Sequence, residues 1–181
     1  MVRITVLRWG HRVSRDRRVT THVGLVARAF GAESMIISDI VDEKVVDSIR
    51  KVVEIWGGPF KVESGKPWRE AVKEWRRKGG IVVHLTVYGE LLTSELVEKI
   101  RGENKPIMVI VGSQKVPSEF FSEEVSDYNV AVGSQPHSEV SSLAIFLDRI
   151  LNAEWLRKEF KEAKLKVMPQ VRGKKVLRVK S

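Results

Sequence analysis

Short apolar runs alternate along the chain with stretches whose apolar residues recur every three or four positions. That alternation is the pattern of a mostly parallel α/β sheet flanked by helices. Ile4–Leu7 opens as a strand, and Val19–Phe30 follows as a helix, with Thr20 or Thr21 as its cap and Gly31 just past its end. Met35–Ile37 and Phe60–Val62 are short strands. Between them Lys44–Trp56 sets Val45, Val46, Ile49, Val52, Val53 and Trp56 on one helical face. Pro67 starts a helix striped by Trp68, Ala71, Val72 and Trp75.

Ile81–Val87 and Ile107–Val111 are almost unbroken apolar runs, as strands buried on both faces should be. Thr93 or Ser94 caps the helix between them, and Gly102 ends it. Val130–Val132 is a last strand, followed by a helix from Ser138 to Leu151 with Val140, Leu143, Ala144, Leu147 and Leu151 on its inner face. Glu154–Lys164 reads as a basic helix. Lys166–Val171 and Lys174–Val179 then flank Arg172-Gly173 as a hairpin, which needs a partner surface to be stable. The expected organisation is one domain over 1–165 and a basic hairpin extension over 166–181.

Charge sharpens this picture. The chain has 181 residues and a formal net charge of +9. Residues 1–18 hold six Arg against one Asp, residues 157–181 hold ten Lys or Arg against two Glu, and the middle is therefore net acidic. Basic ends around an acidic body suit a polyanion surface, although charged termini also serve solubility. With no Cys, disulfides and thiolate metal sites are excluded. No apolar run approaches a membrane span and no signal-peptide pattern opens the chain, so the expected location is cytoplasmic. Three Asn, three Gln and many charges fit a thermophile's protein.

Candidate chemistry sits in the loops that follow the strands, where open α/β sheets bind ligands. Neither G-x-G-x-x-G nor a Walker loop is present, which disfavours a dinucleotide enzyme or a P-loop NTPase. Val-Gly-Ser-Gln occurs twice, at 111–114 and 132–135, each time leaving a strand. Such loops let backbone approach a ligand closely, but they are also ordinary strand-to-helix turns. The segment from Arg8 to Arg18 carries Arg8, His11, Arg12, Arg15, Arg17 and Arg18, a set suited to phosphates and bases. His22 opens the next helix, and Arg28 lies six residues further on. The two are candidates to border one cleft, while a surface ion pair is the plainer role for Arg28. His11, His22, His84 and His137 share no ligand spacing with one another or with acids, so no metal is expected. His84, Trp56, Trp68 and Trp75 read as core residues.

These residues resemble the SPOUT superfamily of RNA methyltransferases. The run from Arg17 to Ala32 is similar to its first motif, with Arg28 at the place of the essential Arg and His22 where an Asn usually stands. Ile107–Pro117 resembles the second motif, with Gln114 in place of Glu. Val130–Ala144 resembles the third, with Ser141 at the motif Ser and Glu139 in place of Asn. Together with Arg8-Trp9-Gly10-His11-Arg12 and His84-Leu85-Thr86-Val87-Tyr88-Gly89, these strings resemble the archaeal tRNA (cytidine-56) 2′-O-methyltransferases.

The resemblance implies a SPOUT fold with a C-terminal deep trefoil knot, a homodimer, and S-adenosylmethionine bound in the knot. It implies a cofactor pocket walled by Leu85, Thr86, Tyr88 and Gly89, by Gly112, Ser113, Gln114, Lys115 and Val116, and by Val130, Ala131, Val132, Gly133, Ser134, Gln135, Pro136 and His137. Arg28, His22 and Ser141 are the implied catalytic group, and tRNA is the implied partner. The rival readings are a SPOUT enzyme with another RNA target and a non-catalytic RNA-binding module.

Overall fold

In the computed structural model, which describes residues 2–113 and 115–179, the elements follow the expected order. They are β1 (Ile4–Trp9), α1 (Arg17–Ala29), β2 (Ser34–Ile37), α2 (Glu43–Trp56), β3 (Lys61–Ser64), α3 (Trp68–Arg77), β4 (Ile81–Leu91), α4 (Ser94–Gly102), β5 (Ile107–Gly112), β6 (Tyr128–Ala131), α5 (Glu139–Ile150), β7 (Leu165–Val167) and β8 (Val176–Arg178). The first six strands form one parallel sheet in the order β3-β2-β1-β5-β4-β6. The last two pair antiparallel as a separate hairpin.

Period-two alternation sends successive strand residues to opposite faces. On β5, Ile107, Val109 and Val111 join Val23, Ile49, Ile100 and Phe146 in the larger core, beneath α1, α2, α4 and α5. Met108 and Ile110 point the other way, to α3 and a second core around Phe120. The rings of Trp9, Trp68 and His84 meet Phe120 edge-on at 4.8 to 5.6 Å, a geometry that aromatic pairs favour. His84 is buried and its Nδ1 lies 2.9 Å from Asn129 Oδ1. Burial lowers its pKa, consistent with a neutral core histidine.

Several helix boundaries differ from the sequence reading. α1 begins at Arg17, and neither Thr20 nor Thr21 caps it. Asp16 stands at the cap position, but its carboxylate is taken by the backbone and guanidinium of Arg12. Thr93 does cap α4 through Leu96 N, and Ser138 caps α5 through Val140 N. The inner face of α5 holds Leu143 and Leu147 as expected, with Val140 packed at its edge and Leu151 buried just beyond; Phe146 and Ile150 join it, and Ala144 is only half-buried.

Glu154–Lys164 is not a helix. A single 3-10 turn, Glu154–Arg157, gives way to extended chain, and Lys161 forms a backbone bridge with Gly58. The reason is tertiary: the Phe160 ring lies under Arg28 and the Trp155 ring stacks on Phe30, and a continuous helix would not reach both. Lys164 N then donates to Ile55 O, which seats the hairpin beside the end of α2.

Candidate active site

The bulge of β4 and the C-terminal ends of β5 and β6 converge on one small cavity of about 230 Å³. β4 shapes it through an irregularity. Val130 of β6 pairs with both Leu85 and Glu90, so Thr86–Gly89 are pushed out of register. Thr86 and Val87 consequently line the cavity. The bulge also explains Gly89: a Cβ there would come within 2.5 Å of the Asn129 and Val130 backbone. Gly89 serves close strand packing and is not part of the cavity wall.

Eight of the expected wall residues line this cavity: Leu85, Thr86, Gly112, Val132, Gly133, Gln135, Pro136 and His137. Others fall elsewhere. Tyr88 is 83% exposed outside the wall, with its ring 6.4 Å from that of Phe121. Val130 and Ala131 are buried within β6. Ser113 is occupied by a hydroxyl bond to Gly10 O. Lys115 and Ser134 are exposed, and Val116 packs against the second core. Gln114 lies outside the described residues. The strand-end reading missed Val87, Val111, Glu139 and Ser142, which complete the wall. Glu139 carried a signal, since it stands where the resembled motif has Asn.

Behind that wall sits the least expected residue. Arg8 is 0% exposed, and the string it belongs to had placed it at an RNA surface. Its Nη1 donates to Gly112 O at 3.0 Å, its Nη2 to Glu139 Oε1 at 3.1 Å, and its Nε to Thr20 Oγ1 at 3.3 Å. A buried guanidinium is tolerated only when its donors are satisfied in this way. Burial lowers its pKa, and Glu139 partly offsets that. His11 is likewise buried, with Nδ1 at 2.9 Å from Thr20 Oγ1 and Nε2 at 3.0 Å from Asp42 Oδ2. Arg17 donates to the same Asp42 oxygen at 2.8 Å. Arg8 and His11 therefore form the inner scaffold of the site and do not face solvent. Arg15 and Arg18 are exposed, and Arg12 and Arg17 remain partly so.

The expected catalytic residues are not gathered in one chain. Thr20 on α1 and Glu139 on α5 both meet Arg8, so the first turns of the two helices share a hub. Ser141 lies in the first turn of α5 and His22 in the second turn of α1, two residues past Thr20, and both are exposed. Arg28 lies eight residues beyond Thr20 along α1, about 12 Å by helical rise. It lines a different and larger cavity, about 960 Å³, between the C-terminal segment and α2. There its Nε and Nη2 donate to Gly57 O at 3.1 and 2.6 Å, and Nη2 also reaches Trp56 O at 2.7 Å. Its guanidinium lies 4.3 Å from the Phe160 ring centre. His22 does not line that cavity. Size does not decide between the two cavities; the smaller one is the ligand candidate, because the parallel strands β5 and β6 end at it beside the β4 bulge.

The smaller wall suits an uncharged aromatic ring joined to a cationic group. Leu85, Val87, Val111, Val132 and Pro136 are apolar, and Glu139 is the one carboxylate among the described lining residues, which include no Lys or Arg. Among the described residues no cluster of His, Asp and Glu fits a metal, and no helix is long and apolar enough to cross a membrane.

Solved structures share this architecture. An RNA 2′-O ribose methyltransferase aligns with a TM-score of 0.60 at 18% identity, covering 84% of this chain and 57% of that one. The SpoU methyltransferase AviRb from Streptomyces viridochromogenes, solved with AdoMet, aligns at 0.56 and 14%, covering 83% and 57%. This chain thus spans little more than half of either. The likeness establishes the shared α/β fold alone.

Sequence relatives narrow the class. The family described as tRNA ribose 2′-O-methyltransferase, aTrm56, matches residues 56–177. A tRNA (cytidine(56)-2′-O)-methyltransferase of Staphylothermus marinus is 54% identical over 98% of this chain and 94% of its own length. That of Pyrococcus abyssi is 57% identical over 97% and 88%. The chain belongs to this family of archaeal tRNA ribose 2′-O-methyltransferases.

Proposed function

We propose that this protein transfers a methyl group from S-adenosylmethionine to the 2′-oxygen of cytidine 56 in the T-loop of tRNA. The observation that carries the reading is the convergence of Leu85–Val87, Gly112, Val132, Gly133 and Gln135–His137 on one cavity, in a chain of this family. The trefoil knot belongs to the same reading, supported by the match to the family.

When bound, S-adenosylmethionine supplies a sulfonium methyl whose carbon–sulfur bond breaks as the ribose oxygen bonds to carbon, leaving a neutral thioether. The protein must hold the ribose in line, and the hydroxyl must lose its proton. Arg28 has donors only, so its part is to grip a phosphate or stabilise the developing alkoxide. His22 or Ser141 takes the proton. A homodimer is part of the proposal: Arg28 and the cofactor cavity are apart within one chain, and a second copy supplies the arrangement that joins them. Arg12, Arg15, Arg17 and Arg18, with the basic C-terminal hairpin, dock tRNA. The setting is the cytoplasm, where tRNA is available.

Radiolabelled S-adenosylmethionine and an unmodified archaeal tRNA transcript test this directly. Label on the 2′-oxygen of cytidine 56 is the expected result. Label on another nucleotide would retain the enzyme and overturn the target, and absence of cofactor binding would overturn the reading altogether.

A further inference from the structure

Glu139 is set unlike any other residue of the cavity wall. It is the first residue of α5, its side chain is 31% exposed, and one oxygen, Oε1, takes a bond from a guanidinium with no exposure at all. No other described protein group donates to this carboxylate. A carboxylate offers about four lone-pair sites, so most of its capacity faces the cavity. Arg8 cannot turn away, because Gly112 O and Thr20 Oγ1 hold its other nitrogens. The pair is therefore a fixed dipole, positive inside the protein and negative at the wall. No lining Lys or Arg opposes it among the described residues.

We propose that Glu139 is the residue that selects the positively charged cofactor, with its carboxylate answering the sulfonium charge, and that Arg8 is its positioning residue. This rests on the cavity being the S-adenosylmethionine site. The charge argument has a direct consequence. Methyl transfer turns the sulfonium into a neutral thioether, so S-adenosylhomocysteine loses the charge that Glu139 attracts. The product is thereby bound more weakly than the substrate, and release is favoured. A neutral amide at 139 keeps the shape and an acceptor for Arg8 but removes the attraction.

The test is calorimetric titration of the purified full chain, wild type and Glu139→Gln, with S-adenosylmethionine and S-adenosylhomocysteine separately. The expected result is an affinity for S-adenosylmethionine about tenfold lower in the variant, with S-adenosylhomocysteine changed less than about threefold. Equal losses for both ligands would mean that the pair only holds the wall together, and no loss for either would remove Glu139 from the site; both overturn the proposal. Should the variant fail to fold, the wild type decides with sinefungin, which carries an ammonium where the methyl would be. Sinefungin binding several-fold tighter than S-adenosylhomocysteine supports the proposal, and weaker binding overturns it. A wild-type chain that binds none of the three would sink the cofactor-site reading itself, a different outcome from an unchanged ratio.

Discussion

Arg28 and Gly57 are joined by two hydrogen bonds to a single carbonyl oxygen, at 3.1 Å from Nε and 2.6 Å from Nη2. The fork of the guanidinium clamps α1 to the end of α2, and Phe160 of the C-terminal segment closes over it. A residue assigned to catalysis is thus also a structural tie within its own chain.

For Arg28→Ala two effects are expected together. Losing charged hydrogen bonds at a buried site should cost about 1–3 kcal/mol of stability, read as a lower melting temperature. Turnover should fall on the order of 10²–10³-fold if the guanidinium acts in the transition state. Cofactor affinity should stay within about twofold, because Arg28 does not line the cavity proposed for the cofactor. A large loss of cofactor binding would show that the side chain belongs to the pocket and not to the reaction.

Asp42 ties the loop after β1 to the start of α2. Burial alone would raise its pKa, yet hydrogen bonds from Arg17 and His11 outweigh that and hold it below the usual carboxylate range. A depressed folded-state pKa contributes stability above the unfolded value, and that stability is lost as pH falls through the folded one. Wild-type stability should therefore drop on acidification below about pH 4, the unfolded carboxylate value. Asp42→Asn should be less stable at neutral pH and should show a shallower acid-side decline. Equal slopes in denaturant titrations at several pH values would contradict the role given to Asp42.

Gly89→Ala places a methyl carbon 2.5 Å from the backbone of Asn129 and Val130. Backbone cannot step aside as a side chain can, so a loss of about 1–3 kcal/mol is expected. The β4 bulge beside the cavity should deform too. Weaker S-adenosylmethionine binding alongside the lower melting temperature is the combined signature, and unchanged values for both would show that the strands part easily.

Salt dependence separates the surface arginines from the buried one. Arg15→Ala and Arg18→Ala should each weaken tRNA binding and reduce the salt slope by about one. Arg8→Lys should leave that slope unchanged, since Arg8 is 0% exposed. A reduced slope for the Arg8 variant would require the guanidinium to reach RNA by a rearrangement of β1.

The sheet was legible because strand burial writes itself as composition. Ile107–Val111 is apolar at every position, and both faces of β5 are indeed covered. Capping was legible where no other partner competed: Thr93 caps α4 as expected, whereas Thr20, expected to cap α1, is taken by Arg8 and His11.

By itself, then, the sequence determined the α/β class, the order of the elements as far as α5, and the family, through the three motif segments 17–32, 107–117 and 130–144 and the strings 8–12 and 84–89. Local periodicity and short motifs carry those facts, because each depends on residues near one another in the chain. Tertiary structure alone decided that Arg8 and His11 point inward, that 158–164 leaves helical geometry beneath Arg28, and that Glu139 lines the smaller cavity. Each of those outcomes depends on a partner more than twenty-five residues away, namely Asp42, Gly57 or Gly58, Gly112 and Glu139. An Arg-rich string has the same composition whether its guanidiniums meet phosphate or a buried carboxylate, and only packing distinguishes the two.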